Sequence, residues 1–143
     1  MKVKIRKATK KDLPKILKLF NNDPYLTGNK DLKYKKNHVL EYITNPVNKL
    51  FVAEIGNKIV GVILGEFWKT AKYVYLSDLI IDKKYQKKGT GTILHNYVEN
   101  LAKKQGYKLI YFLTEVKNKK MHKMAKRLKY QKGKKFDFFS KEF

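Results

Sequence analysis

Cysteine is absent from the 143 residues of this chain. That excludes disulfides, thiolate nucleophiles and cysteine-based metal sites, and it fits a reducing compartment. Histidine is scarce, and His38, His95 and His122 show no metal-ligand spacing. Runs of about 18 apolar residues are missing, so no membrane span is expected. The N-terminal stretch "MKVKIRKATKKDL" has no apolar core of the signal-peptide kind, and a cytoplasmic protein is the expectation. Carboxylates are few: 12 Asp and Glu stand against 34 Lys and Arg, a net charge of +22. Such a surface draws anions, whether nucleic acid, acidic proteins or phosphorylated small molecules. Nearly all of the charge is lysine spread along the whole chain, so general lysine enrichment and contact with a polyanion are both open accounts. What is present is apolar material: 43% hydrophobic residues suffice for a core, and the length suits a single domain over residues 1–143.

Local patterns order the chain. Val3 and Ile5 alternate with charged residues and predict a first strand. Thr9 and Asp12 form a capping-box pattern, with Asp in place of the usual Glu. Leu13, Ile16, Leu17 and Phe20 repeat at helical spacing, and Pro14 falls in the first turn, where a missing N–H costs least. "NNDPYLTGN" breaks that helix. A shorter helix is expected near Lys36 to Tyr42, ended by "NPVN". "KLFVAEI", "GN" and "KIVGVILGEFW" predict a hairpin. "YVYLSDLIID", Tyr73 to Asp82, predicts a third long strand and hence an antiparallel meander. Ile93, Leu94, Tyr97, Val98, Leu101 and Ala102 share one helical face, which Gly106 ends as a C-cap. "KLIYFLTEV" follows as a strand, so Tyr73 to Val116 should form a right-handed crossover with parallel strands. Asn118 to Leu128 suggests a last helix with Met121, Met124, Ala125 and Leu128 inward. "KFDFFSKEF" reads as a closing strand.

One loop stands apart. "DKKYQKKGTGT", Asp82 to Thr92, lies between a strand and a helix and holds two glycines and four lysines. The first amides of a helix lack intrahelical partners, the dipole there is positive, and glycines let a phosphate approach the backbone. The spacing is not that of a P-loop, because no lysine stands between Gly91 and Thr92. It is not a dinucleotide fingerprint either, because Ile93 and Leu94 occupy the place of the third glycine. A lysine-decorated turn without a ligand is the alternative.

Order and spacing resolve more. "IIDKKYQKKGTGTIL" resembles the central Gln/Arg-x-x-Gly-x-Gly/Ala motif of the GNAT N-acetyltransferases, here Gln86-Lys87-Lys88-Gly89-Thr90-Gly91. "KIRKATKKDLPKILKLF", "LFVAEIGNKIVGVILG", "NKKMHKMAKRLKY" and "FDFFSKEF" are similar to further segments of that family, in order along nearly the whole chain. The resemblance implies a mixed α/β fold: a central sheet of about six to seven strands flanked by helices, with parallel fourth and fifth strands splayed around acetyl-CoA. It implies that backbone near Ile80 and Ile81 bonds the pantetheine arm. It also implies that Gln86, Lys87, Lys88, Gly89, Thr90, Gly91 and Thr92 hold the pyrophosphate. Asn118 aligns with the family's pantetheine-side asparagine, and its position also suits a helix N-cap. No metal is implied.

The implied reaction is acetyl transfer to a primary amine. A strand amide stabilises the oxyanion, and a base takes the amine's proton. Ala125 stands where the family often has a tyrosine acid, which leaves a non-catalytic acyl-CoA-binding module as the alternative. Lys129 replaces the glycine of the family's Gly-Phe pair, and Tyr130 matches its aromatic. Candidate catalytic residues are Tyr75, Ser77 and Asp78. Tyr75 and Ser77 match the family's glutamate positions. Asp78 points to the other face unless a bulge shifts the register. Glu66 and Glu115 are further carboxylates. The acceptor is expected near "NNDPYLTGNKDLKY" and the turn after the third strand, lined by Tyr25, Tyr34 and Trp68. The charge of +22 repels polyamines at long range, which favours a small anionic amine, an acidic peptide or an RNA-bound ribosomal protein. Contact with nucleic acid or the ribosome through lysines is a further reading. A homodimer is too, since the family is often dimeric and the closing strand is a candidate edge.

Overall fold

Alternating apolar residues at Val3 and Ile5 do form a strand, β1 (Val3–Lys7), which runs into a single turn of 3-10 helix at Lys10–Asp12. The computed structural model describes residues 2–23 and 33–143. It groups them into two units, Met1–Leu113 and Thr114–Phe143, each described by itself.

The first unit continues with α1 (Leu13–Asn22), α2 (Lys36–Thr44), β2 (Asn48–Ile55), β3 (Lys58–Trp68), β4 (Tyr73–Ile81), α3 (Thr90–Lys104) and β5 (Leu109–Tyr111). The capping box forms as expected. Asp12 accepts from the Thr9 N–H at 2.8 Å, and Pro14 sits in the first turn of α1. Gly56 takes the left-handed conformation in the two-residue turn between β2 and β3, with φ +61°. Gly106 ends α3 with φ +85°. Its N–H bonds Lys103 O at 3.1 Å, and the Tyr107 N–H bonds Ala102 O at 3.0 Å, the double closure of a Schellman cap.

The sheet order is β1-β2-β3-β4-β5. The first four strands pair antiparallel, and β4 pairs with β5 in parallel, with α3 as the crossover. Helices cover both faces. On one face Phe20, Ile16, Val39, Leu50, Val62, Leu64 and Ile80 join α1 and α2 to the sheet. On the other, Phe51, Ile63, Phe67, Val74, Leu76, Leu94 and Val98 join α3 to it. Phe20 and Ile16 have no exposed surface, and truncation of Phe20 to Ala would cost about 3–5 kcal/mol.

Among the described residues the sheet has five strands rather than six to seven. Residues 128–143 form no strand among the described residues, so "KFDFFSKEF" is not a closing strand. Its Phe136, Phe138, Phe139 and Phe143 are exposed. Alternation gives a segment the side chains of a strand, but a strand also needs a ladder partner for its amides. The same reason shortens β5, which stops at Tyr111 instead of running to Val116.

In the second unit, α4 (Lys119–Arg127) is capped by Asn118, whose Oδ1 accepts from the Met121 N–H at 3.4 Å. Its C-terminus closes as a Schellman cap: Lys129 N–H to Lys126 O at 3.1 Å, and Tyr130 N–H to Ala125 O at 2.9 Å. Lys129 holds φ +63°, the conformation for which glycine is the usual residue. No helix of the described residues is long and apolar enough to cross a membrane.

Candidate active site

Strand β4 pairs with β5 only through Tyr73–Leu109, Val74–Ile110 and Tyr75–Tyr111. From there to Ile81 it has no strand partner on that side among the described residues. The parallel strands therefore part in mid-sheet and leave the outer edge of β4 open. The register to β3 shows which backbone groups face the opening. Asp82 donates to Val60 O at 2.8 Å, directly opposite it. Antiparallel pairs alternate, so Ile80 and Asp78 turn their amides to β3, while Leu79 and Ile81 turn theirs to the open edge. The Ile81 carbonyl accepts from Gln86 Nε2 at 2.9 Å, which fastens the following loop to the strand end.

That loop turns tightly. Lys87 has φ +61° and Gly89, the N-cap of α3, has φ +84°. A Cβ on Gly89 would meet nothing within 4 Å, so glycine is favoured there by backbone conformation and not by space. The first bond within α3 runs from Ile93 N–H to Gly89 O at 3.0 Å. The amides of Thr90 and Gly91 precede it and have no carbonyl within the helix. A Cβ at Gly91 would lie 3.7 Å from Ile81 and 3.8 Å from Leu79, in ordinary contact with β4. The lysines surround this turn, and Lys88 Nζ sits 5.7 Å from the Tyr85 ring centroid. Asp82 is spoken for. It accepts from the Lys84 N–H at 3.1 Å and pairs with Lys15 at 3.5 Å.

The catalytic candidates meet where the strands part. Leu64 opposes Asp78 but Gly65 opposes Leu76, so Ser77 is the extra residue of a bulge in β4. The bulge changes the phase of the strand. Before it, Val74 and Leu76 face α3; after it, Leu79 and Ile81 do, and Ile80 faces α1 and α2. Tyr75 and Asp78, three positions apart, therefore share the α1/α2 face. Ser77 Oγ turns to Leu64 O at 3.4 Å. Tyr75 stacks on Tyr111 across the last paired position, with ring centroids 5.0 Å apart, and Tyr73 packs on the same ring at 5.7 Å. Glu66 opposes Tyr75 on β3 and so points to the same face.

Asp78 is only 9% exposed. Burial first, and after it the neighbouring charges of Asp23 and Glu66, push its carboxyl up to about 6, with only the Ser77 hydrogen bond acting the other way. Burial and the Asp78 charge also raise the Tyr34, Tyr42 and Tyr75 phenols, Tyr34 to about 12. Tyr34 and Tyr42 pack around Phe20 with centroids at 5.1 and 5.9 Å. Asn21 fixes the Tyr34 backbone from both sides, accepting from its N–H at 2.7 Å and donating to its carbonyl at 3.1 Å.

The residues expected to form the site lie in the first unit: Tyr75, Ser77, Asp78, Ile80 and Ile81 on β4, Gln86 to Gly89 in the loop, and Thr90, Gly91 and Thr92 opening α3. Ile80, though expected to offer its backbone, turns its amide to β3, and Leu79 takes its place beside Ile81 at the open edge. Asn118 lies in the second unit. Tyr25 lies outside the described residues. Trp68, 43% exposed at the end of β3, packs against Tyr73 at 6.3 Å. Sequence reasoning missed Tyr42 and Tyr111. Tyr111 was legible only through the parallel register that sets it beside Tyr75. Among the described residues no group of three or more His, Asp or Glu is placed to hold a metal.

Split parallel strands, a bulge at the split and a glycine turn opening a helix are the features that mark this candidate site. The acetyltransferase (GNAT) family model matches residues 12–130, and the chain belongs to that family. Solved structures agree in fold. An aminoglycoside acetyltransferase from an uncultured soil metagenomic sample, in complex with sisomicin, has a TM-score of 0.80 at 20% identity, over 99% of this chain and 96% of that one. The PaiA N-acetyltransferase of Thermoplasma acidophilum, in complex with coenzyme A, has a TM-score of 0.78 at 19% identity, over 90% and 89%. The ribosomal-protein-S18-alanine N-acetyltransferase of Escherichia coli has a TM-score of 0.79 at 13% identity, over 93% and 80%.

Proposed function

We propose that this protein transfers an acetyl group from acetyl-CoA to a primary amine. The observation that carries the reading is the open edge of β4, which runs straight into the glycine turn at the start of α3. A peptide-like arm fits the Leu79 and Ile81 backbone groups, and a pyrophosphate fits the Thr90 and Gly91 amides, with Lys87 and Lys88 adding charge. Acetyl-CoA supplies an activated thioester: a C–N bond forms at its carbonyl carbon, the C–S bond breaks, and the thiolate takes up a proton. The chain's own work is to orient, to exclude water and to move protons. Asp78 is the base that receives the proton of the amine, directly or through water. Its raised carboxyl suits that task near neutral pH. Tyr75 keeps its phenol proton, because burial and two nearby carboxylates raise it, and it is the O–H donor beside the split in place of the tyrosine absent at Ala125.

The test is titration calorimetry with acetyl-CoA at moderate salt, followed by CoA release with a panel of amines. Saturable binding is expected, weakened at least about hundredfold by Gly89→Asp, which sets a negative charge at the helix start. Absence of binding by the unaltered protein would sink the reading. A second reading, an acyl-CoA-binding module without turnover, is favoured by Ala125 alone; binding with no turnover of any amine would select it.

A further inference from the structure

We infer that the acceptor is a compact amine bearing at least two positive charges, its reacting nitrogen beside Asp78 and a second ammonium against Glu66. The inference rests on the function proposed above and names the acceptor class of that same site.

The side of the site where Asp78 and Glu66 lie carries local charge opposite to that of the protein. Among the described residues, the ion pairs of the chain are Arg6 with Asp12 and Glu54, Lys15 with Asp82, His95 and Lys103 with Glu99, and Lys117 with Glu115. Among the described residues neither Asp78 nor Glu66 has a cation against it. With 34 basic side chains available, that is a notable omission. The charges that act on Asp78 are those of two other carboxylates, Asp23 after α1 and Glu66 on β3. Glu66 and Leu64, the partner of Asp78, are two residues apart on one face of β3, so Asp78 and Glu66 are diagonal cross-strand neighbours whose backbone positions lie about 7–8 Å apart. That is about the separation of the nitrogens in a short diamine. The two repel when both are ionised, and a bound dication reverses that effect.

The walls suit the same guest. Tyr75 and Tyr111 stack at the mouth of the split, and Tyr34 and Tyr42 pack on the same face of the sheet, near enough to Asp78 to feel its charge. Ring faces around a desolvated cation add attraction that an anionic acceptor would lack. The overall charge of +22 argues the other way only at a distance. Exposed lysines farther than a Debye length, about 10 Å at 0.1 M salt, are largely screened, whereas the carboxylates in contact are not.

The test is CoA release at pH 7.5 and 0.1 M salt with 1,4-diaminobutane, spermidine, 2-deoxystreptamine, butylamine and an acidic peptide with a free N-terminus. The polyamino acceptors are expected to exceed butylamine in kcat/KM by about tenfold to hundredfold, the range of one charge-assisted hydrogen bond. Glu66→Gln should cut that ratio about tenfold through KM, and the exposed Glu142→Gln should leave it intact. Thermal melting of Glu66→Gln checks that the fold survives. Either a linear or a cyclic polyamine in front supports the class and assigns its shape. A ratio near one, a preference for the acidic peptide, or an undiminished ratio in Glu66→Gln overturns the inference while leaving acetyl transfer intact. Loss of acetyl-CoA binding itself would bring down the proposed function, and the inference with it.

Discussion

Asp12, at the junction of β1 and α1, and Asp78, at the bulge of β4, are buried to the same degree, 8% and 9% exposed. Their chemistry runs in opposite directions. Arg6 grips Asp12 with two nitrogens at 2.8 Å each, and the Thr9 N–H adds a third bond. The Arg6 guanidinium therefore holds the Asp12 carboxyl below the usual range, against the effect of burial. Asp78 has one hydroxyl and no cation, and burial wins. A buried carboxylate with a fork of donors is a structural clamp. A buried carboxylate left without one costs the fold stability, and that makes it a candidate for function.

The largest effect should separate the two at once. Asp78→Asn is expected to lower kcat by about 10²- to 10⁴-fold, the usual range for a general base. In the unaltered protein kcat/KM should rise with pH through about 6, as Asp78 ionises, and Asn should abolish that limb. Stability should move the other way. The folded protein holds the Asp78 proton up to about 6 and the unfolded chain only to about 3.8, so ionisation across that window weakens the fold as pH rises. Asn removes that cost and should raise stability at pH 7 by about 1–3 kcal/mol, measured by urea melts. A loss of stability would make Asp78 a structural residue and end the comparison.

Asp12→Asn should give the mirror image. The variant keeps the shape but loses the charge in the Arg6 fork and the cap, at a cost of about 2 kcal/mol. The stability that Asp12 contributes is complete above the unfolded carboxyl range, and it drains away as pH falls through the lowered folded value. The urea midpoint of the unaltered protein should therefore drop with acid more steeply than that of Asp12→Asn, while acetyl transfer per folded molecule stays level.

How far the sequence reveals these roles differs between the two aspartates. The role of Asp12 was open to inspection, because Thr9 and Asp12 are close in the chain and a capping box is a local pattern. So were the loop, α3 and its cap at Gly106, all set by short-range rules. Asp78 was legible only conditionally. Alternation put it on the wrong face, and only a bulge, fixed by pairing with a distant strand, brings it back to Tyr75. The stack of Tyr75 on Tyr111 depends likewise on a parallel register across α3. Net charge is a poor guide to the acceptor for a related reason: it sums over the whole surface and does not say which few side chains the fold gathers at one site. The closing strand failed because its pattern of phenylalanines specifies a face but no partner.

The smallest effect probes how the pair of carboxylates is built. Burial is the leading cause of the raised Asp78 carboxyl, and the charges of Asp23 and Glu66 come after it. The groups facing Asp78 are Ser77 and Tyr75 on β4, Glu66 on β3, Tyr34 and Tyr42 on the α2 side, and Asp23 after α1. Of these, Glu66 can be neutralised without a change of shape. Glu66→Gln removes a like charge, which makes ionisation of Asp78 easier, so the rising limb of kcat/KM should move to lower pH by less than burial moved it upward. The shift should shrink as salt is raised, because Glu66 is only half-buried and its field is screened. Measured with a monoamine, the displacement is free of any loss of a second ammonium contact. An upward displacement would mean that Glu66 helps Asp78 ionise, for instance by gathering a cation between them. A limb that does not move would leave burial alone to set the base.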